Sequence, residues 1–151
     1  MRNILITTLL FLALALPALA GDVTLLEPGD RIVAQVLAVT DGDSLVVEVR
    51  GLRMAVRMAG VDCPEWNAKG GKEATAYTTE WINRGRTVIL EAAQDYYTKK
   101  PDCWDRYGRL LAWVWRDGHL LQEDLVHTGH AEIKYIKEHD KHYARLQAAK
   151  E

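Results

Sequence analysis

RIVAQVLAVTDGDSLVVEVRGLRMAVRMAGV, residues 31–61, decides the fold. Three β-rich runs follow one another with only short turns between them. Arg31 to Val39 carries Ile32, Val33, Val36, Leu37 and Val39, Leu45 to Val49 is a second run, and Arg53 to Val61 is a third. The separators are turn residues, Asp41-Gly42-Asp43-Ser44 and then Gly51-Leu52. In the third run Met54, Val56 and Met58 fall on one face, with Arg53 and Arg57 on the other. That alternation belongs to a strand with one face buried.

Downstream, Lys69 to Gly71 reads as a flexible loop. Lys72 to Asn83 reads as a helix, with Ala74, Tyr77 and Trp81 at helical spacing and Gly85 as its stop. Thr87 to Ala92 is a fourth strand, Gln94 to Arg106 a polar loop, and Arg109 to Arg116 a fifth strand closed by Asp117-Gly118. A short helix is expected from Leu120 to His127, an extended stretch from Glu132 to Ile136, and a helix from His139 onward. The order predicts a mainly β, α+β fold: a five-stranded OB-type Greek-key barrel with about three helices. Trp81, Trp113, Trp115 and Tyr77 are expected as core or barrel-rim aromatics.

Upstream, Arg2, the apolar run Ile4 to Leu16 and Pro17-Ala18-Leu19-Ala20 have the form of a secretory signal cleaved after Ala20. The apolar run is short of the roughly 20 residues that span a bilayer. The domain reading is a leader at 1–20, a loose lead-in at 21–30 and one domain at 31–151, secreted or periplasmic, with no stable membrane association after cleavage. Nothing in the sequence implies a protein partner. The formal net charge is -2, and losing Arg2 with the leader makes it -3. A chain this acidic does not hold nucleic acid by bulk charge, so any such contact rests on a local patch.

The chemistry sits at Arg57-Met58-Ala59-Gly60-Val61-Asp62-Cys63-Pro64-Glu65. An arginine, an aspartate and a glutamate there supply part of what metal-assisted attack on a phosphodiester needs. A count of strand directions asks what joins them. If strand one runs up, strand three runs up and delivers Asp62 and Glu65 to the top. A helix of 12 residues, about 18 Å long, returns the chain so that strand four also runs up and strand five starts at the top. DGDS (41–44), DCPE (62–65) and DRYGR (105–109) then converge. Oxygen ligands from such carboxylates favour Ca2+ or Mg2+ over zinc.

Four motifs, VTDGDSL, RMAGVDCPE, DRYGRLLA and LVHTGHAEIKY, stand in this order between Arg31 and Tyr135. In that combination the chain resembles the staphylococcal nuclease (thermonuclease) family. The resemblance implies a Ca2+-dependent phosphodiesterase on DNA and RNA that leaves 3′-phosphate and 5′-hydroxyl ends. It implies Asp43, Asp62 and the backbone carbonyl of Cys63 as metal ligands and Glu65 as general base. Arg57 and Arg109 would grip the phosphate, and Tyr107 and Tyr135 would contact nucleotide. Arg106, with Lys99 and Lys100, belongs either to a local basic patch that meets substrate or to a solvated loop. Lys137 departs from the family at a position where a further tyrosine is expected. The rival reading is a catalytically idle OB-fold module, but such a module has no reason to keep Asp43, Arg57, Asp62, Glu65 and Arg109 together.

Cys63 and Cys103 are the only cysteines. They either bridge, closing a loop of about 40 residues worth about 4 kcal/mol in the chain-entropy model, or remain free thiols. No histidine is patterned to make Cys63 a nucleophile, and the five histidines, all after residue 118, show no zinc spacing.

Overall fold

The meander forms as read, except that its third strand stops at Met58 instead of running on to Val61. The computed structural model describes residues 22–151, and the leader expected at 1–20 lies outside them. Strands β1 (Arg31–Asp41), β2 (Ser44–Val49) and β3 (Leu52–Met58) pair antiparallel in sequence. After a turn at Ala59-Gly60 comes β4 (Val61–Asp62), then helix α1 (Gly71–Asn83), β5 (Thr87–Ala92) and β6 (Leu110–Arg116). The chain ends with β7 (His119–Leu120), α2 (Leu121–His127), β8 (Glu132–Ile133) and α3 (Tyr143–Ala148).

Strand β1 makes the barrel close. Its first half, Arg31 to Gln35, pairs with β5, and its second half, Gln35 to Asp41, pairs with β2. Register shifts after Val36 and Val39 interrupt the β1–β2 pairing, and such bulges bend a strand and increase its twist. The sheet order is β3-β2-β1-β5-β6-β7, and a parallel β3–β6 pairing joins its two sides. The result, among the described residues, is a closed five-stranded mixed barrel with three α-helices. Val36, Val47, Val56, Leu90, Leu110 and Val114 fill its interior at 1% exposure or less. Burying each side chain of this kind contributes about 1.5–3 kcal/mol. Trp81, Trp113 and Trp115 are buried, and Tyr77 is half-buried against His130.

Two expectations need correction. Strand β5 runs antiparallel to β1 and β6 runs parallel to β3, the reverse of the direction count. Helix α1 lies along β1, and Arg86, just past it, already accepts a hydrogen bond from Val36 at 2.8 Å. The chain therefore enters β5 partway along β1 and continues down. The lead-in is also not loose. Val23 is buried, Gly29 donates to Ala92, and Ala92 donates to Asp30, each at 2.8 Å.

α2 is fastened to β6 by Gln122, fully buried, which accepts from the Val114 amide at 3.1 Å and donates to the Ala112 carbonyl at 2.9 Å. α3 is fastened through Glu91, whose side chain is 2% exposed. Lys141 and His142 reach one carboxylate oxygen at 2.9 Å each, and Arg31 reaches the other at 2.7 Å. Burial pushes the Glu91 pKa up, but hydrogen bonds from Lys141, Arg31 and His142 outweigh it and hold the group at about 2, against an ordinary 4.5. A depressed carboxylate pKa gives stability that is present above the unfolded value and lost as pH falls through the folded one. Between pH 4.5 and 2 this group alone should therefore withdraw on the order of 3 kcal/mol. Denaturant melts of wild type and Glu91→Gln across that range check this: the wild-type curve should fall with acid, and the variant should be weaker at pH 7 and flatter.

Candidate active site

Asp43 closes the β1–β2 turn, and the turn is pressed from two sides. A Cβ on Gly42 would come within 2.8 Å of the Cβ atoms of both Ala74 and Cys63, so only glycine fits. Thr78 of α1 donates to the Gly42 carbonyl at 2.7 Å, and the Asp43 amide bonds the Asp41 carboxylate at 3.2 Å. Asp41 thus does turn work. The Asp43 carboxylate is buried, with one oxygen accepting from the Cys63 amide at 2.7 Å and the other from the Ser44 hydroxyl at 3.2 Å. Burial pushes its pKa up to about 7, against the opposing pull of Arg57 and the Cys63 amide.

Arg57 ends β3 and joins the segments. Its Nη1 lies 3.0 Å from Asp43 Oδ2 and its Nη2 2.9 Å from Asp62 Oδ1. Nη1 also donates to the carbonyls of Met58 and Val61, at 2.9 and 3.0 Å. Asp62 is placed by β4, which pairs with β8, and Lys134 Nζ reaches its second oxygen at 3.1 Å. Among the described residues no three His, Cys, Asp or Glu side chains gather tightly enough to hold a metal by themselves.

Arg109 reaches the site by register. Leu110 sits opposite Val56 and Leu111 opposite Arg57, so the start of β6 lies beside the end of β3. Strand alternation puts Arg109 on the same face as Arg57. Its Nε bonds Asp105 at 2.7 Å, and the other Asp105 oxygen accepts from the amides of Tyr107 and Arg109 at 2.8 and 3.0 Å. Tyr107 is exposed, with Arg106 and Arg109 over its ring at 4.9 and 5.5 Å.

Glu65 stands apart. It is exposed, and among the described residues no partner holds its carboxylate. Its backbone does the positioning. The Glu65 carbonyl accepts from Ala68 at 2.8 Å, and a Cβ on Gly71 would lie 1.8 Å from that carbonyl oxygen. The stretch expected as a flexible loop is therefore packed, and Gly71 is the first residue of α1. Gly71→Ala must push the Glu65 loop away, and a misplacement of about 1 Å costs about 10²-fold in rate. Phosphodiesterase assays of this variant, with circular dichroism to confirm folding, check the expected loss.

A family model described as staphylococcal nuclease homologue matches residues 55–151, the span that runs from β3 through Asp62, Glu65 and Arg109. The chain belongs to the staphylococcal nuclease family. It is 34% identical over 121 residues to the thermonuclease of Staphylococcus hyicus, covering 76% of this chain and 67% of that protein. The Staphylococcus intermedius thermonuclease is 32% identical over 117 residues, 74% of this chain and 65% of the relative. Endonuclease YncB of Bacillus subtilis is 35% identical over 109 residues, 68% of this chain and 48% of the relative. The chain thus spans about two thirds of the thermonucleases and half of YncB.

In this staphylococcal nuclease relative the two cysteines stand as free, buried thiols rather than as a bridge. Cys63 packs under Gly42, while the Cys103 thiol donates to the Leu26 carbonyl of the lead-in at 3.5 Å. Burial pushes both thiols upward, Cys103 to about 11 and Cys63 further, which disfavours the thiolate form that a nucleophile needs. Sequence reading missed Asp105 and Lys134. Asp105 opens a turn ending in Gly108, the pattern of a side chain that caps its own turn. No sequence signal paired Lys134 with Asp62.

Proposed function

We propose that this nuclease is a divalent-metal-dependent phosphodiesterase acting on DNA and RNA, with Ca2+ as its metal, leaving 3′-phosphate and 5′-hydroxyl ends. The observation that carries the reading is Arg57 bridging Asp43 and Asp62 at 3.0 and 2.9 Å, with Arg109 on the neighbouring strand. The donor set of Asp43, Asp62 and the Cys63 carbonyl offers only oxygen, which fits a hard cation that keeps some of its water. When bound, such a cation supplies Lewis-acid polarisation of a phosphoryl oxygen.

The chain's own residues do the rest. Glu65, unpartnered and exposed, takes a proton from the water that attacks phosphorus. Arg57 and Arg109 donate to the phosphoryl oxygens as charge builds on them. The bond from phosphorus to the 5′ oxygen breaks with its electron pair going to that oxygen, which takes up a proton from solvent and leaves as a hydroxyl, while Glu65 returns its proton to solvent. Arg57 can turn toward a phosphate only once another positive charge balances Asp43 and Asp62, since both its terminal nitrogens are engaged there. Tyr107, exposed with Arg106 and Arg109 over its ring, and Tyr135, exposed one residue beyond the Lys134 that touches Asp62, serve as nucleotide contacts. The leader-like form of residues 1–20 supports a secreted or periplasmic site of action.

End-group analysis of a digested single-stranded oligonucleotide in Ca2+ tests the reading. Products with 3′-phosphate support it. Products with 5′-phosphate would place the attack on the other side of phosphorus.

A further inference from the structure

Tyr96, Tyr97 and Tyr135 meet at the surface. Their ring centroids are 5.3 Å apart for 96–97, 6.4 Å for 96–135 and 6.0 Å for 97–135. They are 40%, 79% and 47% exposed, so they pack on one another and not into the core. The interplanar angles are 87°, 70° and 46°, so no pair stacks in parallel, and Tyr97 leaves most of its ring to solvent.

Both supports are fixed in advance. In the loop carrying Tyr96 and Tyr97, the Asp95 amide bonds the Asp102 carbonyl at 2.8 Å and the Asp95 carboxylate accepts from the Tyr97 amide at 3.0 Å. Gln94 closes the same loop onto the Lys100 carbonyl. Tyr135 follows Lys134, which touches Asp62, so the aromatic cluster begins one residue from a group bonded to the candidate metal carboxylate. Tyr135 has φ +57. The other two non-glycine residues with positive φ among the described residues, Arg50 and Asp117, precede glycines in hairpin turns, whereas Tyr135 lies in a bend between β8 and α3.

Charge selects the occupant. Lys137 Nζ lies 5.7 Å from the Tyr96 ring centroid, and Lys99, Lys100 and Lys134 are exposed nearby in sequence, on a chain whose net charge is -2. Flat open π faces interspersed with cations match a strand of unstacked bases joined by phosphates. A duplex hides its base faces within its own stack.

We infer that Tyr96 and Tyr97, packed on Tyr135, extend the nucleotide contact proposed there into a stacking platform for unpaired bases of a strand entering the cleavage site. The inference rests on the nuclease reading, to which it adds the loop at 94–104 as a specificity element.

The test is anisotropy binding of a labelled single strand of roughly 12 nucleotides and of a hairpin duplex, without added metal, together with steady-state cleavage in Ca2+. Wild type is compared with Tyr96→Leu/Tyr97→Leu and with Tyr96→Phe/Tyr97→Phe. The leucine pair should bind the single strand about tenfold more weakly, raise KM with kcat unchanged, and leave duplex binding as it was. The phenylalanine pair should restore binding. Equal binding by wild type and the leucine pair, or equal losses on both nucleic acids, overturns the platform. If wild type cuts nothing while the binding contrast persists, the nuclease reading fails and the platform stands.

Discussion

Arg57→Lys should slow phosphodiester cleavage by about 10²–10³-fold, the usual loss when a preorganised donor to the transition state is removed. It should also destabilise the fold by about 1–3 kcal/mol, because the shorter ammonium leaves buried acceptors without a donor. The guanidinium serves four acceptors from two nitrogens: Asp43, Asp62 and the carbonyls of Met58 and Val61. An ammonium is a point charge and cannot span them. Asp43 suffers most, since it is buried and its ionisation is already opposed by burial. Urea melts read the stability loss, and kcat on single-stranded DNA, measured where the variant is fully folded, reads the catalytic one.

Glu65→Gln should behave oppositely in one respect. Losing a general base costs about 10²–10⁴-fold in rate, yet stability should stay within about 0.5 kcal/mol, as for an exposed substitution. Its carboxylate has no partner to lose among the described residues, and the loop is held by its backbone and by Gly71. Arg57 and Glu65 thus separate two kinds of site residue. One is part of the packed structure and of the chemistry, while the other hangs on a rigid backbone and does chemistry alone.

The meander was legible because one face of each strand is buried and the alternation of Met54, Val56 and Met58 against Arg53 and Arg57 records it. The helix at 71–83 was legible from its spacing to within one residue. The directions of β5 and β6 were not. They depend on how far α1 carries the chain along the barrel, and a helix's length alone does not say which way it lies. The convergence of Arg57 with Arg109 held all the same, because a staggered parallel register brings the end of β3 to the start of β6. Asp43, Asp62 and Arg57 were legible as residue types at turn and strand ends. Their mutual ion pairing was not, nor was the anchoring of α3 through Glu91, since both join residues distant in sequence.

Metal-dependent cleavage with Glu65 as base is decided by the initial rate at which wild type and Glu65→Gln cleave one single-stranded oligonucleotide in saturating Ca2+, with and without chelator. Wild type should cleave and chelator should abolish it, and Glu65→Gln should be about 10²–10⁴-fold slower at unchanged stability. Equal rates for the two proteins, or wild-type cleavage that survives chelator, would contradict it.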